Sequence, residues 1–175
     1  MQTPTIKTER AILRPPKISD AEVIFNNWAT DPEITKYLRW NPHIKVDETK
    51  AWLITVQQNE SDRQVYDWCF IHNQQKDLFG TGGIYYNDEV EMFELGYVLM
   101  KKYWGQGLMT EIATAIVKFA TQKLGETELM ARCAKENTAS SRVLEKLGFI
   151  YKQTGEFSSF DGKRTHESYE YYYEN

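Results

Sequence analysis

Apolar and polar positions follow two rhythms along this chain, one of period two and one of period 3.6. Residues 5–13 alternate well enough to predict a first strand, ended by Pro15-Pro16. Ser19 and Glu22 stand at capping-box spacing and predict a helix that runs to about Ala29. A short second helix is expected near Pro32, and a third, capped by Asp47, carries Ala51, Trp52 and Val56. Residues 65–71 (VYDWCFI) are β-branched and aromatic and predict a strand. A polar turn over 73–77 leads to strands 78–86 and 91–100, separated by Asn87-Asp88, which makes an antiparallel meander.

In residues 108–124 the rhythm changes, with Ile112, Ile116, Phe119 and Ala120 at helical spacing and Gly125 as C-cap. A strand over 129–134 follows, then a helix over 137–147 between Asn137 as N-cap and Gly148 as C-cap. Residues 149–157 and 164–173 complete a hairpin around Asp161-Gly162. This order predicts an α/β (α+β) fold, a mostly antiparallel mixed sheet covered by helices. No repeat or flexible linker interrupts it, so residues 1–175 are read as one domain.

Composition narrows the function classes. A chain of 175 residues hides about 70% of its unfolded surface on folding, so it needs no staples. Its Cys69 and Cys133 make no CxxC pair, and with His43, His72 and His166 they form no zinc spacing, so no metal is expected. No apolar run approaches the roughly 18 residues of a membrane span. The opening MQTPTIKTER lacks the apolar core of a secretory leader, and a cytoplasmic location is expected. A net charge of −4 argues against a general nucleic-acid binder.

The candidate chemistry begins at Lys102-Tyr103-Trp104-Gly105-Gln106-Gly107, between a strand and a helix. Two glycines let the backbone approach a ligand, and the helix start offers unpaired N–H groups to an anion such as a diphosphate, with Thr110 as a further donor. There is no GxxxxGK[ST], nor the third glycine of a dinucleotide turn. A tight turn before a capped helix also accounts for the glycines.

A second block, Asn137-Thr138-Ala139-Ser140 continuing through Glu145-Lys146-Leu147-Gly148-Phe149, completes a pattern. The two blocks together resemble the GNAT superfamily of N-acetyltransferases. Lys102 to Gly107 matches its Q/R-x-x-G-x-G/A turn, with Lys102 where Arg or Gln is usual. Thr8-Glu9-Arg10, Leu13-Arg14-Pro15 and Tyr37-Leu38-Arg39-Trp40 add a likeness to the ribosomal-protein N-terminal acetyltransferase (RimJ/RimL-like) branch.

The resemblance implies acetyl-CoA as cosubstrate and a sheet whose central strands splay apart. It implies diphosphate binding by the backbone of Gly105, Gln106, Gly107, Leu108 and Met109, with Lys102, Thr110 and Arg142 nearby. It places the pantetheine arm along Tyr97, Val98 and Leu99, with Asn137 bonding the arm. It implies Glu94 as the base that takes the amine proton and Ser140 as the hydroxyl at the departing thiolate. Glu94 also suits a solvated strand position, Ser140 an ordinary first helical turn and Asn137 a plain N-cap. On ideal alternation Glu94 shares a face with Met92, Gly96 and Val98.

The expected acceptor is a peptide or protein N-terminal α-amine, with a small amine (polyamine or aminoglycoside-like) as the alternative. A non-catalytic acyl-CoA-binding module is the rival of another class. A monomer or a homodimer is compatible with the sequence.

Overall fold

The chain turns back on itself almost at once. β1 (Ile6–Lys7) and β2 (Ala11–Arg14) pair antiparallel, where the pattern predicted one continuous strand. Thr8 makes the turn: its N–H donates to the Ala11 carbonyl and its hydroxyl accepts the Ala11 N–H. A computed structural model describes residues 2–59 and 64–174.

The front helices begin differently from their sequence signals. A 3-10 turn (Ile18–Asp20) precedes α1 (Ala21–Ile24), which widens into a π turn (Phe25–Ala29). The capping carboxylate is Asp20 rather than a Ser19–Glu22 box: it accepts the Lys17 N–H at 2.8 Å and both Arg14 Nη groups at 2.7 and 2.8 Å. The buried ion pair wins because a forked guanidinium contact outweighs a neutral hydroxyl cap. α2 (Pro32–Thr35) is capped by Asp31. α3 (Val46–Gln58) is closed by Glu48, whose carboxylate accepts the Ile44 and Lys45 N–H groups, and not by Asp47.

Then come β3 (Val65–His72), β4 (Leu78–Asn87), β5 (Met92–Leu99), α4 (Leu108–Phe119, continued as a π turn to Leu124), β6 (Glu128–Ala134), α5 (Thr138–Lys146), β7 (Ile150–Ser158) and β8 (Thr165–Glu174). They form one eight-stranded sheet, ordered β1-β2-β3-β4-β5-β6-β8-β7. Every neighbouring pair is antiparallel except β5 and β6. The tyrosine-rich tail is therefore an interior strand, and β7 is the edge.

Each face carries a core. Trp68, Phe70, Phe93, Leu95 and Leu129 pack with Leu108, Ile112, Ile116 and Phe119 of α4 and Leu144 of α5. Each of these fully buried side chains contributes about 1.5–3 kcal/mol. On the other face Ile24, Trp28, Ile34 and Leu53 pack on Cys69, Leu78 and Val98. Both cysteines are buried and free.

The meander is tight at Gly83, where an added Cβ would lie 2.1 Å from the Tyr66 carbonyl oxygen. Gly83→Ala should cost about 2–3 kcal/mol in urea unfolding, because backbone must move. Gly96→Ala, whose Cβ meets nothing nearer than 3.6 Å, should cost under about 1 kcal/mol.

Candidate active site

β5 and β6 pair at only three positions, Phe93 with Leu129, Glu94 with Met130 and Leu95 with Ala131. Beyond them β5 stays with β4 through Leu99, while Arg132 to Ala134 pair with β8. The edge of β5 that faces β6 thus has no strand opposite it from Gly96 onward. Tyr97, Val98 and Leu99 all lie on this edge. The Trp104 indole takes up the Leu99 carbonyl at 2.9 Å. The ladder between β4 and β5 runs without a bulge, so Glu94, Gly96 and Val98 share the face that carries α1 to α3.

At the end of β5 the chain passes through a 3-10 turn (Lys101–Tyr103) into the two glycines. Gly105 and Gly107 have φ of 71° and 73°, the left-handed region that other residues avoid. Gly107 opens α4 and no side chain caps the helix there. The first helical turn therefore leaves the N–H groups of Leu108, Met109 and Thr110 without intrahelical partners. The Leu108 and Met109 side chains are buried, so only their backbone faces this end. The Gln106 side chain turns back to the Lys102 carbonyl at 2.8 Å. Lys102 ion-pairs with Asp77 at 3.0 Å, and Lys101 with Glu33. The Tyr103 hydroxyl and Lys102 beside it hold the Asp77 carboxyl below its usual range.

Glu94 lies where β5 and β6 part. Its Oε2 accepts Asn87 Nδ2 at 2.9 Å and stands 4.0 Å from Arg132 Nη2. Both partners converge on that one oxygen, and among the described residues Oε1 has none. Arg132 also faces Glu170 at 3.6 Å, so the guanidinium sits between two carboxylates.

Across the gap, Ser140 Oγ lies 3.0 Å from the Tyr97 hydroxyl. Burial pushes the Tyr97 phenol well up, so it stays protonated. Asn137 caps α5 by accepting the Ser140 N–H at 3.2 Å. Arg142 is exposed on α5.

Two segments approach each other on the face that carries α1 to α3: that helical segment and the hairpin of β7 and β8. Their tips are latched together: Arg164 donates to the carbonyls of Thr35, Lys36, Leu38 and Trp40, and Phe160 N–H to Arg39. His166, Ser168 and Glu170 alternate along one face of β8. Asp67, 8% exposed, lies further along the same face under the Tyr85 hydroxyl at 2.6 Å. Burial pushes its carboxyl up to about 6, against the pull of Tyr85.

An edge without a strand partner, two left-handed glycines and an uncapped helix start follow one another along the chain from β5 into α4. The model of the acetyltransferase (GNAT) domain matches residues 10–150. The chain belongs to the GNAT family. It is 28% identical over 146 residues to the uncharacterised N-acetyltransferase p20 of Bacillus licheniformis, covering 83% of this chain and 82% of that one.

Two solved structures share the fold. An acetyltransferase (GNAT family) from Bacillus anthracis has a TM-score of 0.79 and 24% identity, over 97% of this chain and 96% of that one. RimL, a ribosomal L7/L12 α-N-protein acetyltransferase in complex with coenzyme A, has a TM-score of 0.84 and 15% identity, over 98% of each. A GNAT domain makes this chain an acetyl-CoA-dependent N-acetyltransferase.

Three contacts around the candidate site carry no mark in the sequence: Arg132 beside Glu94, Asp77 holding Lys102, and the Arg164 latch. Each joins residues far apart in the chain, and only an opposite charge or an orphan carbonyl signals it.

Because the folded Asp67 carboxyl titrates above its unfolded value, the folded state holds the extra proton. Stability should therefore fall as pH rises from about 4 to about 6, then level off, by roughly 2–3 kcal/mol. Asp67→Asn should flatten that slope in urea unfolding measured from pH 4 to 7.

Proposed function

We propose that the acetyl group passes from acetyl-CoA to a primary amine by direct attack, and that the acceptor is a peptide or protein N-terminal α-amine. The observation that carries this is the free Oε1 of Glu94 at the mouth of the β5–β6 gap. An amine attacks only as the neutral base. An α-amine, with its ordinary value near 7.7–8.0, is already about one-tenth neutral at pH 7, whereas a lysine amine needs far more help. One carboxylate oxygen within reach suits the easier case.

In this reading the amine nitrogen forms the new bond to the thioester carbonyl, the C–S bond breaks, and the amine proton moves to Glu94. The paired hydroxyls of Ser140 and Tyr97 donate a hydrogen bond to the departing thiolate. A backbone N–H near Val98 steadies the developing oxyanion. The backbone of Gly105 to Met109 and Thr110 receives the diphosphate, and the pantetheine amides pair with the open edge at Tyr97 and Val98. Asn137 adds a bond to the arm while it caps α5, and Lys102 and Arg142 supply positive charge nearby. The RimL neighbour's action on a protein α-amine supports the choice of acceptor.

A panel of N-terminal peptides, polyamines and aminoglycosides, followed by thiol release and mass spectrometry, tests the acceptor. Acetylation of peptide α-amines is expected. Tight CoA binding without release by any amine would sink the enzymatic reading, and modification of small amines alone would sink the acceptor.

Glu94→Gln should lower kcat/KM about a hundredfold or more, most at low pH where the amine is protonated. A pH–rate profile matching wild type removes Glu94 from the role of base. Ser140→Ala alone should cost less than Ser140→Ala combined with Tyr97→Phe, because either hydroxyl can reach the thiolate.

A further inference from the structure

The Thr8-Glu9-Arg10 segment plays no part in the function proposed above, yet the Arg10 side chain reaches the glycine turn. Arg10 Nη1 donates to the Gln106 carbonyl at 2.8 Å. Arg10 Nε donates to Glu111 Oε2 at 2.6 Å, and the Arg10 backbone N–H to Glu111 Oε1 at 2.8 Å. One guanidinium thus bridges the turn and the first turn of α4. Arg10 remains 40% exposed, so solvent does not strip this contact of screening.

Two features ask for a cause. The first is Glu111 itself. An acid in the first turn of a helix that receives an anion repels its own ligand unless it is neutralised. Burial pushes the Glu111 carboxyl up, but the Thr8 hydroxyl, the Arg10 N–H and the Arg10 guanidinium together outweigh it and hold the group ionised below its usual range. Glu111 is therefore spoken for.

The second feature is the open space at the turn. An added Cβ at Gly105 would meet nothing within 4 Å, so no neighbouring side chain packs against the backbone there. At Gly107 the nearest atom to such a Cβ is Arg10 Nη2, at 3.7 Å. The peptide joining Gln106 to Gly107 is planar and trans, so its C=O and N–H point in opposite directions. Holding the Gln106 carbonyl on Arg10 therefore turns the Gly107 N–H away from Arg10.

We propose that Arg10 is a positioning residue for the diphosphate of the cosubstrate: anchored on Glu111, it locks the Gln106–Gly107 peptide with its N–H toward the anion. This rests on the reading of the turn as the diphosphate site. Glu111, an acid in an unfavourable place for charge alone, acts as the anchor that aims the guanidinium.

The test compares binding of CoA and of pantetheine, which lacks the phosphates, by calorimetry. Arg10→Gln should raise the Kd for CoA roughly tenfold and leave pantetheine within about twofold. Arg10→Lys should recover little of the loss, because an ammonium cannot hold carbonyl and carboxylate in one fork. Glu111→Gln gives the deciding sign. If charge alone mattered, removing an acid would tighten CoA; as an anchor, its loss weakens CoA and spares pantetheine.

Tighter or unchanged CoA binding by Glu111→Gln overturns the proposal, as does equal weakening of both ligands by Arg10→Gln. Gly107→Glu separates the two readings. If that bulky carboxylate leaves CoA affinity unchanged, the diphosphate does not lie at the turn and the site assignment fails first. If it abolishes CoA binding while Arg10→Gln has no effect, only the role of Arg10 fails.

Discussion

The molecule is organised by the brevity of one strand pairing. β5 and β6 share three residue pairs and then part, while β5 stays paired with β4 on its other edge and β6 with β8 on its other edge. Backbone groups left unpaired inside a protein are costly, so a persistent open edge needs water or a ligand. Such an edge accepts an extended, amide-bearing chain as a sheet accepts a further strand. The cores on the two faces keep it open. α4 and α5 fill one side and α1 to α3 the other, and both attach to strands that do not close the gap.

The parts of this arrangement that were legible in the sequence are local. Gly105, Gly107, Gly125 and Gly148 read as turns and caps because left-handed backbone at those positions favours glycine. Asn137 reads as an N-cap because its side chain meets an N–H three residues on. The alternation of β5 put Glu94 on the face of Gly96 and Val98, and the ladder holds that register. Where long-range charge competes with local signals, the reading slipped. Asp20 answers Arg14 instead of taking its place in a Ser19 box, and Glu48 displaces Asp47 at α3. The strand read over 5–13 breaks at Thr8, where side chain and backbone close on Ala11. Arg10 and Glu111 lie a hundred residues apart, and nothing in either neighbourhood announces the other.

The charge map also departs from a simple division of acid and base. Asp88, Glu89 and Glu91 occupy the turn between β4 and β5, at the opposite end of β5 from Lys101 and Lys102. Both lysines are engaged with carboxylates, Lys101 with Glu33 and Lys102 with Asp77. In the proposed reading, backbone N–H groups at the helix start carry more of the anion recognition than ammonium groups screened by solvent.

The Arg164 latch has a consequence for how such a chain can change over time. The surfaces assigned to the acetyl donor come largely from one continuous stretch, from β5 through the start of α5. The two latched segments come from both ends of the chain, residues 18–58 and 150–170, joined where Arg164 gathers four carbonyls, Phe160 N–H meets the Arg39 carbonyl and Asn41 meets Asp161. In the proposed reading, substitutions in the two ends act on the acceptor side first and reach the donor side through the Lys101–Glu33 and Arg132–Glu170 ion pairs.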